Sequence, residues 1–170
     1  MTIAPLILTA KLDTASFEYF DHLRKKHFPQ ERNFLAAHVS LFHHLPGENL
    51  DEVVETLESD AQMRSPFAVT FDSWRFLGRG VAMKIASVEL VNLRNKLAGY
   101  WQHHLTPQDR QKFQPHITIQ NKTEPRAARE LFEDISREYQ PFDGVVIGTT
   151  LCSYLGGPWR LEKEFLFAES

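Results

Sequence analysis

The chain has 170 residues, of which 42% are hydrophobic and 24% charged, and a formal net charge of −3. That is enough for one domain with a sizeable core, and too little positive charge for a long nucleic acid gripped by its backbone. A single cysteine, Cys152, excludes an internal disulfide and a multi-cysteine metal knuckle, and no apolar run approaches the ~18 residues of a membrane span.

In chain order, Pro5 to Ala10 is a short apolar run that predicts a strand. The start lacks the basic lead of a signal peptide, so a buried first strand is expected; the single cysteine suits a reducing cytoplasm, where the protein is expected as a monomer. Asp13 or Thr14 caps a helix carrying Phe17, Phe20 and Leu23 at helical spacing, and Pro29 ends it. Residues 38–42 read as a second strand. Asn49 and Glu52 have the spacing of a capping box ahead of a helix whose apolar face is Leu50, Val53, Val54, Leu57 and Ala61. Phe67 to Leu77 and Val81 to Ala86 read as strands joined by the turn Gly78-Arg79-Gly80. Ser87 caps a helix with the stripe Leu90, Leu93, Leu97, Tyr100, Trp101 and His104. A polar loop, 106–114, leads to Pro115 and the strand it opens. Thr123-Glu124-Pro125 starts a helix with Ala128, Leu131, Phe132, Ile135 and Tyr139 on one face. Phe142 to Tyr154 and Trp159 to Phe167 are the last strands, around the turn Gly156-Gly157-Pro158.

One phrase occurs twice: His38-Val39-Ser40-Leu41 and His116-Ile117-Thr118-Ile119. In a strand, alternate side chains share a face, so each copy turns an imidazole and a hydroxyl one way and two aliphatic residues the other. The same alternation sets Phe42 and His44 after Ser40, sets Gln120 and Lys122 after Thr118, and sends His43 toward the core. The two histidines are 78 residues apart, and that spacing recurs. It carries Leu50, Val53, Val54, Leu57 and Ala61 onto Ala128, Leu131, Phe132, Ile135 and Tyr139, Leu77-Gly78 onto Leu155-Gly156, and Ile7 onto Ile85. A unit of strand, helix, motif strand, helix, strand and turn thus occurs twice, with a gap at the first helix. The expected fold is α+β, one domain over residues 1–170 built of two lobes, about 1–78 and 79–170. Each lobe is an antiparallel sheet with outer helices. A pseudo-twofold axis relates the lobes, and the motif strands line a central cleft on it.

Paired His-x-Ser/Thr-aliphatic motifs, set in HVSLFHHLPG and PHITIQNK within a duplicated α+β chain, resemble the 2H phosphoesterase superfamily. That group includes the 2′-5′ RNA ligase-like proteins and cyclic nucleotide phosphodiesterases. The resemblance implies chemistry at 2′,3′-cyclic phosphates or 2′-5′ phosphodiesters without a metal. Residue by residue, His38 and His116 match the catalytic pair, and Ser40 and Thr118 match the hydroxyls that hold the phosphate. Ser40 stands where Thr is commoner.

The residue types suit that chemistry. Cleaving a phosphodiester needs a base on one side of phosphorus and an acid on the other, and imidazoles with a pKa near ~6.5 serve either role. Hydroxyl donors then hold the non-bridging oxygens. Phe42 is placed to stack on a base and Lys122 to meet a phosphate, with Arg75 and Arg79 near the hairpin as further cations. Eight histidines are present, His43-His44 and His103-His104 among them, but no metal-ligand spacing. No metal or other cofactor and no membrane is expected. The reading is a hydrolase: a metal-independent phosphodiesterase whose partner is a nucleotide or RNA terminus. Two alternatives are a non-catalytic nucleotide- or RNA-end-binding module, and a cyclic phosphodiesterase of a small metabolite such as ADP-ribose cyclic phosphate. With no ATP-binding motif, ligation could come only from reversing a transesterification.

Overall fold

Asp13 starts the first helix as its sequence suggests. Its carboxylate accepts the Ser16 N–H at 3.1 Å, and Ser87 does the same for the Leu90 N–H at 3.1 Å. A computed structural model describes residues 3–168. Along them run β1 (Leu6–Leu12), α1 (Thr14–His27), β2 (Val39–Leu45), α2 (Leu50–Gln62), β3 (Phe67–Phe76) and β4 (Val81–Ala86). Then follow α3 (Val88–Tyr100), β5 (His116–Gln120), α4 (Pro125–Ser136), β6 (Phe142–Tyr154) and β7 (Trp159–Leu166). Three local expectations are corrected. Asn49 makes no bond to the N–H groups of α2; its amide donates to Glu52 at 3.2 Å instead. Tyr100 is exposed, because α3 gives way to a tighter turn that sends Trp101 inward. Tyr139 lies beyond α4, where its hydroxyl donates to the Phe71 carbonyl at 2.6 Å.

The strands form one antiparallel sheet in the order β2-β1-β6-β3-β4-β5, with β7 also paired to β6. The duplication makes β1, β2 and β3 the counterparts of β4, β5 and β6. Exchanging counterparts reverses the order and leaves it unchanged. The axis of that exchange passes between β3 and β6, where Phe67 faces Val146 and Ala68 faces Val145; a 78-residue shift swaps these two pairs. The two antiparallel sheets read from the repeat are therefore halves of one curled sheet. The third strand of each unit pairs with the other unit's strands, and the curl brings the edges β2 and β5 together. α1 packs against β5, α2 against β7, α3 against β3, and α4 against β3 and β4.

Register corrects one equivalence. Leu8 pairs with Phe42 as Val81 pairs with Gln120, and Ala10 pairs with Val39 as Met83 with Ile117. Leu8 and Ala10 are thus equivalent to Val81 and Met83, which makes Ile85 the counterpart of Leu12 rather than Ile7, and the second unit holds five extra residues between its first two strands. The longer loop after α3 belongs to that insertion. Val39, Leu41, Ile117 and Ile119 all point into the core with Leu6, Leu8, Phe20, Phe71 and Met83. Burial of each such side chain is worth about 1.5–3 kcal/mol, which anchors the motif strands from behind. Gly80 permits the close approach of β4 and β5: a Cβ there would lie 1.9 Å from the Gln120 carbonyl oxygen.

Candidate active site

The cleft is built where β2 and β5 meet. Each strand carries the same irregularity. Between Ser40 and Phe42, β2 advances two residues while β1 advances one; between Thr118 and Gln120, β5 does so against β4. Leu41 and Ile119 are the extra residues of two matched β-bulges. A bulge shifts the alternation by one residue, so side chains beyond it change faces. That overturns part of the sequence reading. Phe42, expected to stack on a base, is 0% exposed and lies edge-on to Trp101 at 5.1 Å. Gln120 is buried as well. His43, expected in the core, is exposed and opens onto a cavity with Ser40 and His116.

Both motif imidazoles are anchored alike. His38 Nδ1 lies 2.8 Å from the Ala36 carbonyl oxygen, and His116 Nδ1 lies 2.9 Å from the Gln114 carbonyl oxygen. A carbonyl only accepts, so each Nδ1 carries the proton and donates. Each Nε2 is left free for other chemistry. The anchoring residue is two positions before the histidine in both units, so the repeat extends to the tautomer. Burial pushes the His38 pKa down to about 4 against the support of the Ala36 carbonyl, and Arg24, His116 and His43 push the same way. His38 is therefore a neutral imidazole with a bare Nε2 lone pair at neutral pH. The Trp159 ring packs on it, 4.8 Å between centroids. Ser40 and Thr118 are half-buried, each two residues after its imidazole.

Two buried arginines hold the edges in place. Arg24 of α1 donates to the Thr118 carbonyl at 3.0 Å and to Asn33 at 2.9 Å. Arg94 of α3 donates to the Leu41 carbonyl at 3.0 Å and to the Asp109 carbonyl at 2.5 Å. Each arginine thus clips the opposite unit's motif strand and the loop before its own. Sequence reading missed both, and also Asp109, which is 1% exposed in the loop 106–114. Its carboxylate accepts the His43 N–H at 2.9 Å, the His44 N–H at 3.0 Å and His43 Nδ1 at 2.9 Å. Burial raises its pKa, but those bonds outweigh burial and hold it below the usual carboxylate range. The signal available in sequence was a lone acid in a polar loop, which says nothing about its partner 66 residues away.

A family model described as the 2′-5′ RNA ligase superfamily matches residues 12–158. The chain belongs to that superfamily, the 2H phosphoesterases. Among solved structures, TT0787 of Thermus thermophilus is 16% identical with a TM-score of 0.69, over 98% of this chain and 99% of that one. E. coli LigT complexed with 3′-AMP is 21% identical with a TM-score of 0.62, over 98% and 99%. A crystal structure of a phosphoesterase is 20% identical with a TM-score of 0.61, over 98% and 99%. These likenesses show the fold. No curated protein sequence matches the chain.

In this 2H phosphoesterase the imidazoles open onto different cavities. His116 lines one of about 510 Å³ with Ser40, His43, Arg75 and Lys112. His38 lines one of about 420 Å³ with Phe17, Phe34, Leu35 and Trp159. A third, of about 740 Å³, holds Arg24, His43, Lys122 and Trp159 and lies against both. Lys122 reaches it from a left-handed backbone conformation, φ 60°, just past β5. Of the two hairpin arginines, Arg75 lines the His116 cavity, whereas Arg79 is spent on the Thr123 carbonyl at 3.0 Å. No group of three or more His, Cys, Asp or Glu among the described residues is arranged to hold a metal ion. No helix among them is long and apolar enough to cross a membrane.

Proposed function

We propose that this protein is a metal-independent phosphodiesterase that opens nucleoside 2′,3′-cyclic phosphates or cleaves 2′-5′ phosphodiesters at a nucleotide or RNA end. The observation that carries this reading is the pair of motif imidazoles, both held through Nδ1–H so that both Nε2 atoms are free. Membership of the 2H phosphoesterases and the fold shared with LigT support it.

The lowered pKa of His38 keeps its Nε2 unprotonated at neutral pH, and we assign it the role of base. Its Nε2 takes a proton from water, and the water oxygen forms a bond to phosphorus. The bond from phosphorus to the ribose oxygen breaks on the far side, and His116, carrying a proton on Nε2 as well as Nδ1, gives that oxygen the Nε2 proton. Ser40 and Thr118 donate to the non-bridging oxygens. Acid–base help of this kind contributes roughly 10²–10⁴-fold, and positioning supplies the rest. Turnover of nucleoside 2′,3′-cyclic phosphates should persist in EDTA and fall at least ~10²-fold in His38→Ala and in His116→Ala. Unchanged turnover in the double variant would overturn the assignment.

A further inference from the structure

The catalytic set is nearly symmetric. His38 and His116, their carbonyl anchors, the two bulges and the crossing arginines all have counterparts. A symmetric set cannot distinguish one end of a substrate from the other, so recognition rests on the residues that break the symmetry. Three do so around the cleft.

Four residues before each motif histidine, the loops carry Phe34 in one unit and Lys112 in the other. Phe34 is 67% exposed in the cavity of His38, and Lys112 lines that of His116. Past each bulge, β2 carries His43 while the equivalent position after β5 is Asn121. His43 donates Nδ1–H to buried Asp109, which fixes the ring and aims Nε2 into the cavity of His116, where it donates to an anion when both ring nitrogens carry protons. Finally, Trp159 belongs to β7, which has no counterpart in the first unit. One end of the cleft is thus aromatic and the other is rich in donors. Arg75 stands at the second end, with one Nη1 bond to Gln114 at 3.0 Å. Among the described residues lining that cavity, Asp109 is the only carboxylate, and His43 and His44 already occupy both its oxygens. A lining of imidazole, guanidinium and ammonium groups with no free carboxylate favours an anion.

We propose that the cavity beside His116 is a second phosphate site, in which Lys112, Arg75 and His43 hold a phosphate other than the one being cleaved. The proposal rests on the phosphodiesterase reading above. With His116 protonating the leaving ribose oxygen, that ribose lies on the His116 side, and its 5′ substituent enters this cavity. The substrate class is then a 5′-phosphorylated nucleoside 2′,3′-cyclic phosphate. In a short oligonucleotide, the next phosphodiester would occupy the same place.

The test compares kcat/KM for three probes: a nucleoside 2′,3′-cyclic phosphate, the same compound with a 5′-phosphate, and a cyclic-ended dinucleotide without a terminal phosphate. The 5′-phosphate should raise kcat/KM about tenfold or more, a gain of charge-assisted bonds. A comparable gain with the dinucleotide identifies an internal diester as the natural occupant; a gain with the monoester alone identifies a terminal phosphate. Lys112→Gln and His43→Asn, the latter matching Asn121, should bring the ratios toward one, and Lys112→Arg should restore them. Equal kcat/KM for all three probes overturns the second site while leaving the phosphodiesterase reading intact. Binding separates the two claims if nothing is turned over. A nucleoside 3′,5′-bisphosphate should bind about tenfold tighter than the 3′-monophosphate, with the difference lost in Lys112→Gln. Equal affinities would overturn the proposal on that arm too.

Discussion

Replacing His38 by Gln should make the fold less sensitive to acid while abolishing turnover. In the unfolded chain the imidazole protonates near 6.5; in the folded one burial beside Trp159 and the Arg24 charge lower its pKa to about 4. Above 6.5 both states are neutral and the group is silent. As pH falls below 6.5 the unfolded state takes up the proton first, so stability drops, and the loss is complete once pH passes about 4. That interval is worth about 3 kcal/mol, and for urea slopes of about 1–3 kcal/mol/M it is roughly 1–3 M of midpoint. Urea melts of wild type and His38→Gln at pH 7.5, 5.5 and 4 measure it. The wild type should lose that much more than the variant between the first and last pH. Parallel losses in the two proteins would mean that the folded site accommodates the imidazolium, and the assignment of His38 as base would fall with it.

Other outcomes follow from the same geometry. Trp159→Ala hydrates His38, so its pKa rises from about 4 and the acidic limb of the kcat/KM profile moves to higher pH; an unmoved limb would show that Trp159 does not desolvate it. Asp109→Asn puts an amide NH₂ against N–H donors and should cost about 2–4 kcal/mol in urea melts. It should also remove the stability that the wild type loses when pH falls through the depressed pKa of Asp109, below the ordinary carboxylate range. Gly80→Ala drives a methyl group onto the Gln120 carbonyl, so β4–β5 pairing and activity should fail together, with loss read by hydrogen exchange of the β5 amides. Wild-type protection of those amides would refute the close approach.

The helices and strands were legible because their apolar residues repeat with the periods of helix and strand, and the duplication checked one half against the other. Local caps divided by chemistry. Asp13 and Ser87 have short side chains that reach their own helix N–H groups, while Asn49 found a side-chain partner instead. Phe42 and His43 were misplaced for a single reason. Strict alternation has no term for an inserted residue, and a bulge is set by the strand alongside, not by the strand that contains it.

What the sequence determined by itself was the repeating unit, the core faces of the motif strands, and a pair of imidazole–hydroxyl motifs at equivalent positions. All of these depend on periodicity along one chain. The tertiary structure decided the rest: that both units share one curled sheet, that His43 belongs to the cleft, and that Arg24, Arg94 and Asp109 reach across to hold it. Those contacts join residues as many as 94 positions apart, and nothing in the local pattern specifies their partners. The pKa of His38 belongs to the same class, since it depends on burial and on charges supplied by other elements. The repeat makes the two histidines equivalent in sequence, and only the folded surroundings make them different.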